Sequence, residues 1–124
     1  MDYFEKTLDE KNRFTVPSEL RHEFEGQKLF ITRGFKNYLH LYTEKVWNEK
    51  MEPQLKGDIL DERIADLNVQ FRLGKQEAVM TVKSDNRQCR IAIDHGLMEY
   101  ANIPAKGAIQ AVRAGDYWRL TAKN

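Results

Sequence analysis

Apolar and polar positions alternate loosely from Tyr3 to Leu8, and the segment contains β-formers, so a strand is predicted there. Asp9 to Asn12 is a polar four-residue turn, and Asn12 is a residue type that tolerates the left-handed backbone such turns often need. Arg13-Phe14-Thr15-Val16 is the return strand. Pro17 ends it and opens a short helix, Ser18 to Phe24, which Gly26 closes. Leu29 to Thr32 and Tyr38 to Leu41 form a strand pair around Gly34 to Asn37. The middle of the chain switches to helical spacing. Thr43 is placed as an N-cap with Glu44 in the first turn, Tyr42 and Trp47 occupy staple positions, and Pro53 is expected to stop the helix. A second helix is expected from Asp58 or Asp61, with Leu60, Ile64, Leu67 and Phe71 on one stripe and Gly74 as its C-cap. Then the opening pattern returns. Ala78 to Val82 is a strand, Ser84 to Cys89 a turn, and Arg90 to Ile93 the return strand. A short helix runs to about Ala101, and a last hairpin joins Ile109–Arg113 to Tyr117–Leu120 around Ala114-Gly115-Asp116.

The return is a repeat. Arg13 matches Arg90, Phe14 matches Ile91, Val16 matches Ile93 and Leu20 matches Leu97. With small gaps, Arg33-Gly34 answers Arg113-Ala114, and Tyr38-Leu39-His40-Leu41 answers Tyr117-Trp118-Arg119-Leu120. Each copy is then one supersecondary unit that buries its apolar face against its twin. The pattern gives an α+β fold in one domain, 1–124: a first repeat over 1–43, a helical connection over 44–74 and a second repeat over 75–124. The middle helices are expected to bridge the halves. Trp47, Met51 and the Leu60–Phe71 stripe are also candidates for subunit contacts.

Composition narrows the function. Charged residues make up 31% of the chain but balance to a formal net of +1, so the chain lacks the overall excess of a polycation, and any polyanion site must be local. No apolar run reaches the roughly 20 residues that cross a bilayer. The start lacks the layout of a signal peptide, and the single Cys89 excludes an internal disulfide, so a cytoplasmic protein is expected. His22, His40 and His95 do not share metal-ligand spacing, and no glycine loop is arranged to cradle a phosphate. No metal, cofactor or enzymatic activity is expected.

The two turns carry the candidate chemistry. The first holds Asp9, Glu10, Lys11 and Arg13; the second holds Asp85, Asn86, Arg87 and Arg90. Arginine binds guanine O6 and N7 with two N–H groups, and a neighbouring carboxylate fixes its planar fork in one rotamer. The D-x-x-x-R spacing is a common coincidence on its own. Its weight comes from its place on a hairpin directly before an apolar strand and Pro17. Leu8 to Pro17, Leu29 to Leu41 with Thr32-Arg33-Gly34, and Leu39-His40-Leu41-Tyr42 followed by Trp47 resemble the MraZ family, tandem relatives of AbrB-type swapped-hairpin DNA binders. Phe71 to Gly74 resembles that family's aromatic-and-glycine segment before its second unit.

The resemblance implies two intertwined β-hairpin units in a ring of identical subunits. It implies a transcriptional regulator of the division and cell-wall cluster that binds repeated promoter boxes in double-stranded DNA, and a nucleoid-associated location. Carried over by position, the DNA-binding residues are Asp9, Lys11 and Arg13 in the first turn and Asn86, Arg87 and Arg90 in the second. Arg33 is a further candidate for a phosphate contact. The second turn departs from the pattern: Asn86 stands where an Asp is expected, Cys89 where a Gly is usual, and Asp94 where Pro17 stands in the first. A neutral Asn86 offers no charge to hold Arg90, so the second turn reads as a weaker DNA contact or a structural one, unless a reshaped turn lets Asp85, one residue earlier, substitute. Two other outcomes stay open: an oligomeric scaffold of the same fold that has lost operator binding, and an antitoxin-like DNA binder.

Overall fold

Phe14 and Ile91, matched residues of the two repeats, face each other across a strand pair at the centre of the molecule. The computed structural model describes residues 1–82 and 88–123. The first repeat runs β1 (Tyr3–Thr7), β2 (Arg13–Thr15), a 3₁₀ turn (Ser18–Leu20) leading into α1 (Arg21–Phe24), then β3 (Leu29–Arg33) and β4 (Leu39–Thr43). The second runs β5 (Gln76–Ala78), β6 (Thr81–Val82), β7 (Cys89–Ala92), α5 (His95–Tyr100), β8 (Ala108–Ala114) and β9 (Tyr117–Ala122).

The strands form two antiparallel sheets, one in the order β1-β8-β9-β4-β3-β5 and one in the order β2-β7-β6. Exchanging the repeats swaps β1 with β5, β3 with β8 and β4 with β9, and this maps the large sheet onto itself in reverse. The molecule therefore has a pseudo-twofold axis, and each unit gives its first strand to the other unit's hairpin. The register agrees at residue level: Phe14 pairs with Ile91, His40 pairs with Arg119, and the Val16 N–H to Cys89 carbonyl bond (2.7 Å) mirrors the Ile93 N–H to Asn12 carbonyl bond (2.9 Å). This is the α+β tandem swapped-hairpin fold. Its main core gathers Phe4, Phe14, Leu39, Ile91, Trp118 and Leu120, drawn from both repeats.

Between the repeats lie α2 (Glu44–Val46), a π-helix (Trp47–Met51) and α3 (Glu52–Gln54), continuous in sequence, and then α4 (Glu62–Arg72). Thr43 caps α2 as expected, its hydroxyl accepting from the Val46 N–H at 3.2 Å. Several expectations are corrected. Pro53 does not stop the helix: it lies inside α3, and the wider π turns run directly into it. Leu60 is not part of the α4 stripe: Asp61 caps α4, and Leu60 precedes it, 88% exposed. Trp47 is buried in a second small core with Phe30, Tyr42, Leu55 and Phe71, which removes it from the candidate subunit contacts. Ala78 to Val82 is not one strand. It breaks at Val79-Met80 because β5 belongs to the large sheet and β6 to the small one. Cys89 is a buried strand residue rather than a turn residue.

Candidate nucleic-acid interface

The first turn is organised by one carboxylate. Asp9 Oδ1 accepts from the backbone N–H groups of Lys11 and Arg13, both at 2.9 Å, closing the loop from its own side chain. Asn12 takes φ 59°, the left-handed geometry its residue type tolerates. The Asp9 N–H donates to the Arg13 carbonyl at 2.9 Å and begins the hairpin. Oδ2 is left for cations, and Arg13 Nε donates to it at 2.9 Å. Partial desolvation pushes the Asp9 carboxyl upward. The N–H groups of Arg13 and Lys11 and the Arg13 guanidinium outweigh that and hold it below its ordinary value, so it is ionised at neutral pH.

The antiparallel β2–β7 pair brings Arg90 of the second unit to the same place. Arg13 lies opposite Ala92 and Arg90 opposite Thr15. Arg90 Nη1 thereby comes within 3.5 Å of Asp9 Oδ2, and its Nη2 donates to Gln88 Oε1 at 2.9 Å. The expectation that Arg90 lacks a charged holder is thus corrected: the first unit's Asp9 supplies the carboxylate across the pseudo-twofold axis. Gln88, which sequence reasoning passed over, supplies the second acceptor. It matches Lys11 in the repeat, and an amide can accept a hydrogen bond that an ammonium cannot.

Asp9, Lys11, Arg13 and Arg90 therefore form one patch. They line an open depression of ≈ 530 Å³ together with Glu10, Thr81 and Val82. The side chains of Arg13 and Arg90 are 29% and 17% exposed, so both are partly sheltered and held in place. Asn86 and Arg87 lie outside the described residues. Arg33 stands apart from the patch, half-buried with its guanidinium 5.0 Å from the centre of the Tyr100 ring. Among the described residues no cluster of acidic, His and Cys side chains could hold a metal, and no helix is long and apolar enough to cross a membrane.

The patch offers an ordered cationic surface on a small sheet edge, suited to phosphate oxygens and base edges.

The chain is similar to known proteins over most of its length. A family model described as "MraZ protein, putative antitoxin-like" matches residues 1–61. The transcriptional regulator MraZ of Clostridium tetani is 33% identical over 96 residues, 77% of this chain, and the match spans 63% of that protein's length. The protein of the same name from Mycoplasma mobile is 29% identical over 109 residues, 88% of this chain and 70% of its own. That of Moorella thermoacetica is 31% identical over 113 residues, 90% of this chain and 74% of its own. With that extent of identity across both repeats of the fold, the chain belongs to the MraZ family.

Proposed function

We propose that this protein is a DNA-binding transcriptional regulator that grips repeated promoter boxes through the patch of Lys11, Arg13 and Arg90, with Asp9 as the organiser. Asn86 and Arg87, carried over from the family resemblance, are further proposed DNA contacts. The observation that carries this reading is the convergence of Arg13 and Arg90, matched residues of the two units, on the one carboxylate of Asp9. A pre-ordered pair of guanidinium groups beside an exposed lysine suits a polyanion. The regulators of the same name are the relatives that support it.

One copy binds weakly. Three cations neutralise at most about three phosphates, which gives a salt slope near −3. Copies assembled on successive boxes raise avidity by roughly 100- to 10,000-fold without any new type of contact. Self-association, in a ring as in the family resemblance, and operator binding are therefore coupled in this proposal.

The test is a salt-titrated anisotropy or shift assay on the DNA upstream of the protein's own gene, paired with native mass measurement. Arg13→Ala and Arg90→Ala are each expected to weaken binding and to lower the salt slope by about 1 per DNA-bound copy. If neither variant changes binding or slope, the patch is not the interface. In that case the scaffold reading gains, which the sheltered and internally bonded Arg90 favours. A partner protein co-purifying with the chain would instead favour the antitoxin-like reading that the family description names.

A further inference from the structure

We infer that the two arginines divide the work, Arg13 reading base edges and Arg90 supplying charge to the backbone. This rests on the proposed DNA-binding role of the patch. Bidentate recognition of guanine needs two neighbouring nitrogens of one guanidinium, both free to reach O6 and N7. Arg13 spends only Nε on the protein, at 2.9 Å from Asp9 Oδ2. Among the described residues its Nη1 and Nη2 make no hydrogen bond, so the end-on fork is left for a ligand while the carboxylate fixes the plane of the group. Arg90 is the reverse case. Its Nη1 faces Asp9 Oδ2 at 3.5 Å and its Nη2 donates to Gln88 Oε1 at 2.9 Å, so each terminal nitrogen already has a protein acceptor on one of its two N–H groups. With a protein acceptor already at each terminal nitrogen, approach by a pair of base atoms is hindered, whereas one phosphate oxygen needs only a single leftover N–H.

The difference follows from the sequence. Gln88 occupies in the second unit the place of Lys11 in the first. The amide oxygen binds the neighbouring arginine, whereas the ammonium adds a cation and leaves Arg13 unclamped at its tip. The backbone symmetry about the Phe14–Ile91 pair is thus broken by side chains. One molecule then reads its box in a single orientation, and the specific contacts come from the first unit.

Arginine-to-lysine exchange tests the division, because it keeps the charge and removes the fork. Arg13→Lys and Arg90→Lys are compared with wild type on the upstream DNA fragment and on a scrambled duplex of equal composition, at several salt concentrations. Arg13→Lys is expected to lower the ratio of specific to non-specific affinity roughly 5- to 150-fold with little change in salt slope. Arg90→Lys is expected to hold that ratio within about twofold. A DNA-side arm needs no protein variant: replacing guanines of the box by 7-deazaguanine, which lacks the N7 acceptor, weakens wild type on the specific fragment at one or more positions. Either equal loss of discrimination in the two lysine variants, or full discrimination in Arg13→Lys, overturns the inference. So does indifference of wild type to every deaza substitution. Those failures are distinct from the failure of the DNA reading itself, in which wild type shows no salt-dependent binding to any duplex and both proposals fall.

Discussion

His40 lies where the pseudo-twofold axis crosses the large sheet, paired with Arg119 between β4 and β9. Its ring is 1% exposed, packed 4.3 Å from the Tyr117 ring and 5.6 Å from that of Tyr38. Nδ1 is 2.7 Å from the Tyr42 hydroxyl, and Nε2 is buried with no partner among the described residues. Burial first, and then the positive charge of Arg119, push the imidazole down from 6.5 to about 4. The unfolded chain therefore takes up the proton well before the folded chain does. Stability is intact above pH 6.5 and declines as pH falls from there toward 4. At 1.36 kcal/mol per unit of separation, the loss from this group is about 2 kcal/mol at pH 5 and about 3 kcal/mol once the folded form titrates. Urea melts at pH 7 and pH 5 on wild type and His40→Phe check this. Wild type is expected to lose about 2 kcal/mol more than the variant over that interval; equal losses would refute it, since His22 and His95 are common to both. Sequence reasoning weighed the imidazole chemistry of His40 only as a metal ligand, because Tyr117 and Arg119 of β9 and Phe71 of α4, which complete its surroundings, lie far along the chain. The same limit applied at the candidate site. The charges of Asp9, Lys11, Arg13 and Arg90 were legible as a hairpin pattern, and so was the geometry of Asn12. The sharing of Asp9 by both arginines was not, because it depends on the pairing of β2 with β7.

At the scale of elements, the helical connection is held by Glu52. Its Oε1 accepts from the buried Trp47 indole N–H at 2.9 Å, and Arg72 of α4 donates to both carboxylate oxygens, at 3.0 and 2.9 Å. Arg72 foremost, with the Trp47 N–H aiding and burial opposing, holds the carboxyl at about 2. Lys75 closes the cluster, its Nζ 4.0 Å from the Trp47 ring and 4.1 Å from that of Phe30. The two bonds of Glu52 differ in kind. Losing the indole's partner strands a buried donor, at a cost of about 1–3 kcal/mol, whereas the half-exposed Arg72 pair contributes about 0–1 kcal/mol. Glu52→Ala is therefore expected to destabilise more than Arg72→Ala in paired urea melts, and the reverse order would contradict this account. Local signals announced these elements well: the Thr43 cap, the Tyr42–Trp47 staple and the Asp61 start all follow from residue chemistry. Pro53 misled because the rule against proline inside a helix assumes α geometry, and the π turns before it relax that constraint. Leu60 misled because its spacing fits α4, while the chain at Gly57 to Leu60 is a loop that leaves Ile59 and Leu60 in water.

At the scale of the whole molecule, the repeat was visible in the residues, whereas the exchange of strands entered only through the family resemblance, since a repeat by itself fits side-by-side units equally well. The exchange decides how the fold is held. β1 pairs with β8, β5 with β3, β4 with β9 and β2 with β7, so all four ladders join one unit to the other. Within the first unit alone, β3–β4 is the only ladder, and Phe14 and Leu39 lose the residues they face. A chain cut to residues 1–74 therefore has open edges on β4 and β2 and an uncovered apolar face, which edge pairing must satisfy. The symmetry supplies a way out, because a second copy of the first unit can take the place of the second unit, setting Phe14 against Phe14. The fragment is expected to be a strand-exchanged dimer or unfolded, and never a folded monomer, when light scattering is combined with circular dichroism. Co-expression with residues 75–124 is expected to restore a one-to-one complex with cooperative melting. A 1–74 fragment that is monomeric and melts cooperatively would show that each unit carries its own core, and the pairing of Asp9 with Arg90 would then be an incidental contact rather than a consequence of the interlock.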